Sequence, residues 1–234
     1  MSAIDLKQQL LDRVAILRRA GLEYVPKAPP APVRTPAADV AEAENPNRVA
    51  LDMLEREVAS CRLCKGLFAT RSATVFGTGP LEPDILFLAD VPDQADEKAG
   101  HPFAGELGEL LDRMLGRMGY GRDEVYLTTL LKCATPRRRA PKPEEASNCL
   151  GHLTKQLEAV RPKAICCFGA ASARVLLDSE AELANLRAES HRWNGIPVVV
   201  TFDLSHLLEQ PNRRRDCWQD LLALLGLLGR TPPG

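Results

Sequence analysis

Four short runs are apolar through their middles: DILFLAD at 84–90, VYLTTLL at 125–131, AICCFG at 164–169 and PVVVTF at 197–202. Runs of this length bounded by polar or turn residues read as buried strands. Segments 106–118, 143–160 and 170–177, with 214–228 after the last run, instead place apolar residues three or four apart, as the buried face of a helix does. This alternation predicts an α/β fold, a three-layer sandwich with a central four-stranded parallel sheet flanked by helices. Ligands of such sheets sit beyond the carboxyl ends of the strands, so the chemistry is expected near Asp90, Thr129 to Leu131, Gly169, and Phe202 to Asp203.

Upstream the pattern changes. Leu6, Leu10, Leu11, Val14, Ile16 and Leu17 predict an amphipathic helix within 1–25, which a protein partner or the main domain would receive. Residues 26–47 are rich in Pro and Ala and poor in large apolar side chains, the composition of an extended linker. The main domain is therefore assigned to 48–230.

Composition narrows the class. Thirty Lys and Arg against 31 Asp and Glu leave no global field toward nucleic acid or an anionic membrane, so any basic surface is local. Seven cysteines, no apolar signal segment at Met1 and no long uncharged apolar run predict a cytoplasmic monomer, off the membrane, with reduced thiols. Such thiols are free, catalytic or metal-bound. Cys61 and Cys64 form a C-x-x-C unit, Cys133 follows a predicted strand, and Cys149 lies on the next helix. A C-x-x-C turn preorganises half of a tetrahedral site and the distant pair can close a loop onto it. Spacing alone favours zinc, with an iron-sulfur cluster second; the other reading makes Cys133 and Cys149 small core residues. Cys166, Cys167 and Cys217 read as core packing.

From about Arg48 to Leu228 the chain resembles the iron-sulfur (family 4) uracil-DNA glycosylases. The resemblance rests on CRLC at 61–64, VFGTGP at 75–80, GHPFAGELGELL at 100–111, VYLTTLLKC at 125–133, KPEEASNC at 142–149, RPKAICCFGAASARVLL at 161–177 and TFDLSHLLEQP at 201–211. It implies that Cys61, Cys64, Cys133 and Cys149 hold a structural [4Fe-4S] cluster, which reverses the zinc preference. It also implies DNA repair by hydrolysis of an N-glycosidic bond on damaged or single-stranded DNA.

Such a reaction extrudes the base, holds it, and stabilises a cationic sugar and an anionic leaving base. Family members use a carboxylate in a G-E-A-P-G loop, a stacking Phe, an Asn that reads the amide edge and a donor His in an H-P-x-x-L-L loop. Here the first loop reads Ala89-Asp90-Val91-Pro92-Asp93, keeping a shorter carboxylate and losing both glycines. The stacking position is Phe103, which reads equally as a core phenylalanine. The amide reader becomes Thr129, with a hydroxyl where an amide offers a paired donor and acceptor.

Asp203 stands at the histidine position, so a donor has become an acceptor. An ionised carboxylate about 4 Å from a developing uracilate repels it by about 4 kcal/mol at an effective dielectric near 20. That is roughly a thousandfold in rate. Loss of an oxyanion donor costs a further factor of roughly 10² to 10³. Three escapes remain: a protonated Asp203, His206 as a substitute donor, or a base whose exocyclic amine a carboxylate would read. Two functions follow, a DNA-binding protein with weak or no uracil excision and, alternatively, an active glycosylase of changed base specificity.

Phosphate contacts are expected from Arg137, Arg138, Arg139 and Lys142, between the third and fourth cysteines. Arg213 to Arg215 read as a second stripe or as solvated surface. Leu207 and Leu208 read as the wedge that unstacks a duplex, or as a helix-capping hydrophobic contact.

Overall fold

The computed structural model describes residues 45–233. The expected N-terminal helix and all but the end of the expected linker lie outside them. The last linker residues already belong to a helix, α1 (Pro46–Ser60), capped by the Asn45 side chain with Pro46 in its first turn. Leu51, Leu54 and Val58 make its buried face. The following elements are α2 (Lys65–Thr70), β1 (Ile85–Ala89), α3 (Gln94–Ala99), α4 (Gly105–Met118) and β2 (Tyr126–Thr129). Then come α5 (Pro143–Val160), β3 (Ala164–Phe168), α6 (Ala170–Leu177), α7 (Leu183–Ala188), β4 (His191–Trp193), β5 (Ile196–Thr201), α8 (Leu204–Glu209) and α9 (Arg214–Leu227).

The sheet has five strands, not four, in the order β2-β1-β3-β5-β4. The four expected strands are parallel, and β4 adds an antiparallel edge to β5. β4 is three residues long, too short to show a period, but Asn194-Gly195 behind it is the hairpin signal. Both turn residues take positive φ, 46° and 85°.

β1 and β3 are buried on both faces, which explains their unbroken apolar runs. Leu86, Leu88, Ile165 and Cys167 face one core with α1, α5 and α6. Ile85, Phe87, Ala89, Cys166 and Phe168 face the other with α4 and α9. Cys166 and Cys167 thus point to opposite faces, and both are fully buried with Cys217 nearly so. Among the described residues no helix is long and apolar enough to cross a membrane.

The outer edge of β2 is covered by the 75–80 loop, where Thr78 and Leu127 exchange backbone hydrogen bonds of 2.9 and 2.8 Å. Gly79 takes φ +144° there, and a Cβ on it would lie 2.5 Å from the Val125 carbonyl oxygen. Gly116, inside α4, has open space instead. Gly79→Ala is therefore expected to lose more than about 1 kcal/mol of stability and Gly116→Ala to gain about 0.5–1 kcal/mol. Urea midpoints of the two variants should move in opposite directions.

Candidate functional site

A cavity of about 500 Å³ opens at the carboxyl ends of β1, β3 and β5, lined among others by Asp90, Gly169, Phe202, Asp203, His206 and Arg213. Asp90 follows β1 and turns toward the start of α6, accepting from the backbone N–H groups of Ser172 at 2.7 Å and Ala171 at 3.3 Å. Gly169 makes this approach feasible, because a Cβ there would stand 2.6 Å from an Asp90 carboxylate oxygen. Burial raises the Asp90 pKa against the lowering effect of these bonds, and the Asp203 charge raises it further. Two carboxylates thus feel each other across one cavity.

Asp203 caps α8. Its carboxylate accepts from the Ser205 backbone N–H at 2.8 Å and from the Ser205 hydroxyl. Arg138 donates to both of its oxygens, at 3.2 and 3.4 Å. Every partner of this carboxylate is a donor, so Asp203 is set up as an acceptor. The repulsion expected from a bare carboxylate is correspondingly too large, because a guanidinium offsets it.

His206 lies in the cavity, half-buried and stacked on Phe202 with ring centroids 5.5 Å apart and planes 16° apart. Arg187 and Arg213 also lie over the Phe202 ring, at 4.0 and 5.8 Å from its centroid. Arg187 is fixed by paired bonds of 2.9 and 3.1 Å to Asp220. The sequence pattern gave no sign of Arg187, which sits on the short helix α7; Phe202 was signalled only as the end of an apolar run.

Phe103 does not line the cavity. It is 3% exposed and packs edge-to-face on Phe168, centroids 6.1 Å apart. Its φ of +56° is uncommon for an aromatic residue. Arg122 holds the turn through the carbonyls of Pro102 and Phe103. Asp96 fixes the same loop from α3 by accepting from Ala104 N–H at 2.7 Å, and burial pushes its carboxyl up to about 6. Thr129 is equally inward: it is 1% exposed and its hydroxyl donates to the Leu131 carbonyl at 2.6 Å. In this conformation neither residue presents a face to a base. Leu207 is fully buried in the α4–α9 core, so the wedge reading fails for it here, and Leu208 packs half-buried beside it.

The basic loop divides. Arg137 and Lys142 are exposed, whereas Arg138 pairs with Asp203 and Arg139 pairs with Glu145 at 2.6 and 2.8 Å. The expected compact basic patch is therefore half neutralised from within.

Cys61 follows α1, Cys64 precedes α2, Cys133 follows β2 and Cys149 lies on α5. They share one electrostatic neighbourhood. Burial pushes the Cys64 and Cys133 thiols up and Cys149 to about 11, with smaller upward contributions from neighbouring members of the set. Donors face the sulfurs: Arg71 bonds Cys133 Sγ at 3.0 Å and Asn148 bonds Cys64 Sγ at 3.6 Å. Among the described residues no three His, Cys, Asp or Glu side chains are gathered closely enough to hold a metal ion as they stand. Beside Cys133, Lys132 is fully buried, and burial lowers its ammonium to about 7. It donates to the Thr128 hydroxyl, the Thr129 carbonyl and Gln156 Oε1, each at 2.7 Å, tying the end of β2 to α5.

Comparison with known proteins agrees with this arrangement. The family model described as "Uracil DNA glycosylase superfamily" matches residues 76–222, from the loop before β1 into α9. A type-4 uracil-DNA glycosylase of Archaeoglobus fulgidus is 34% identical over 191 residues, 78% of this chain and 96% of that protein. A type-4 uracil-DNA glycosylase of Sulfurisphaera tokodaii is 31% identical over 73% of this chain and 81% of its own length. A Thermotoga maritima protein of the same description is 32% identical over 68% and 83%. With the cavity, the strand ends, Cys133 and Cys149 falling within residues 76–222, the chain belongs to the uracil-DNA glycosylase superfamily.

Proposed function

We propose that this protein binds DNA through its uracil-DNA glycosylase fold and excises uracil weakly or not at all. The observation that carries the reading is Asp203, an acceptor locked by Arg138 where the resemblance calls for a histidine donor. Phe103 and Thr129, the expected stacking and reading residues, are turned into the core. Losing the oxyanion donor alone costs roughly 10² to 10³ in rate. His206 is held flat against Phe202 in the cavity, beside Arg187 and Arg213, the other donor-capable groups that line it.

A second reading, a glycosylase of changed base specificity, is favoured by Asp90. A carboxylate whose pKa is raised by burial is a better general base than an ordinary aspartate. Paired with an acceptor at Asp203, it would suit a base bearing an exocyclic amino group rather than uracil.

For the cysteine site the donor set supports a [4Fe-4S] cluster. Four thiols, two of them on one C-x-x-C turn, with N–H groups directed at the sulfurs of Cys64 and Cys133, match thiolate ligation and its outer hydrogen bonds. The raised pKa values of Cys64, Cys133 and Cys149 call for a strongly cationic group to hold them ionised. A cluster also asks its thiolates to stand further apart than one zinc ion does. Bound there, it would supply a structural clip joining α1, α2, β2 and α5.

Two outcomes are expected. Protein purified without oxygen should carry about four iron and four sulfide per chain with broad absorbance near about 400 nm. Cys133→Ser should lose most of the iron, and zinc without iron in the parent chain would contradict the cluster. The combined variant Asp203→His, Thr129→Asn and Arg138→Gln, the last preventing a guanidinium from facing the new imidazole, should gain uracil release of about 100-fold or more in single-turnover assays. No gain in a variant that still binds DNA would place the block elsewhere.

A further inference from the structure

A smaller cleft, about 200 Å³, lies between α4 and α9 with Leu207 of α8 in its lining. Arg113 and Arg117 of α4 and Arg214 of α9 line it around Trp218, and buried Leu207 forms part of its wall. No carboxylate lines it. The Arg117 guanidinium lies 4.4 Å from the Trp218 ring centroid, which fixes a flexible side chain. Arg214 donates through Nε to the Leu207 carbonyl at 3.1 Å, so its planar head is held as well.

Among the described residues neither Arg117 nor Arg214 has an ion pair. Arg113 reaches Glu109 only at 4.0 Å, with both side chains mostly exposed. Such a pair contributes little. The cysteine-loop arginines Arg138 and Arg139 differ, each being spent on an internal carboxylate. Two unpaired and preorganised guanidinium groups, with the weakly paired Arg113 beside them, form an anion site, and the arginine fork suits a phosphate in particular.

We propose that this cleft holds a backbone phosphodiester of the DNA strand that threads the main cavity. The inference rests on the DNA-binding reading above. An α-helix with its side chains is about 10–12 Å across, so a phosphate here lies within one or two nucleotides of a base in the main cavity. Asp203 and His206 line that cavity and Leu207 lines the cleft, so α8 borders both. The strand is therefore positioned by α4 and α9 more than by the loop between the third and fourth cysteines.

The test is fluorescence anisotropy of a labelled single-stranded oligonucleotide, titrated with the full cluster-loaded chain over a series of salt concentrations. Compared with the parent, Arg117→Gln with Arg214→Gln should bind at least about tenfold more weakly. The slope of log K against log salt should shrink by about 0.7, the loss of one phosphate contact on a single strand. Circular dichroism and iron content, unchanged from the parent, would establish that the variant is folded. Binding by the parent with an unaltered slope in the variant would overturn this site and leave the DNA-binding reading standing. A parent chain that fails to bind the oligonucleotide would overturn both. A Trp218 fluorescence response to millimolar inorganic phosphate, with oligonucleotide affinity unaffected by the substitutions, would also overturn the assignment to a DNA strand.

Discussion

Arg138 and Asp203 lie 65 positions apart and meet at the mouth of the main cavity, joining the segment between the third and fourth cysteines to the turn from β5 into α8. The cavity's chemistry depends on that contact. Without the guanidinium, Asp203 would stand near Asp90 uncompensated, and two carboxylates in one partly buried space repel. With it, Asp203 caps α8, bonds Ser205 and is committed as an acceptor. The cysteine-bearing framework and the cavity are therefore mechanically linked: whatever holds Cys133 and Cys149 in place also holds Arg138 where Asp203 needs it.

Local geometry reinforces this arrangement. Asp90 occupies the start of α6, a place where backbone N–H groups favour an anion, and Gly169 leaves room for it. Phe103 sits in a left-handed turn pinned by Arg122 and Asp96, with its ring delivered to the α4 side of the sheet. The aromatic surface left at the cavity belongs to the Phe202–His206 pair, flanked by arginines. The site has thus kept a carboxylate at Asp90 and presents its flat ring at another position, with Arg187 and Arg213 as the cationic groups beside it.

Much of the framework was legible in the sequence. Helices α5 and α6 begin and end where apolar spacing and Pro143 or Gly169 place them, and three of the four parallel strands fall inside their apolar runs, β5 starting one residue earlier at Ile196. Helix α1 was missed, although Leu51, Leu54 and Val58 carry its spacing, because the Pro- and Ala-rich stretch before it masked its start. The β4 strand was missed because three residues carry no period. In the site, motif comparison located Asp90, Asp203 and His206 at the cavity, since strand ends fix where such residues lie. Side-chain direction was not legible: Thr129 bonds its own turn, Phe103 turns inward, and Arg138 and Arg139 choose carboxylates over solvent. Those outcomes depend on partners far along the chain, such as Asp203 for Arg138.

The central claim, that an arginine-locked acceptor has silenced uracil release on an otherwise intact scaffold, is tested most directly by single-turnover cleavage with the parent chain. Oligonucleotides carrying uracil, hypoxanthine, xanthine or alkylated bases would be incubated with excess cluster-loaded protein and the abasic product followed while binding is monitored in parallel. The account predicts bound DNA with no abasic product from uracil beyond the background rate. Rapid release of uracil by the unaltered protein would contradict it.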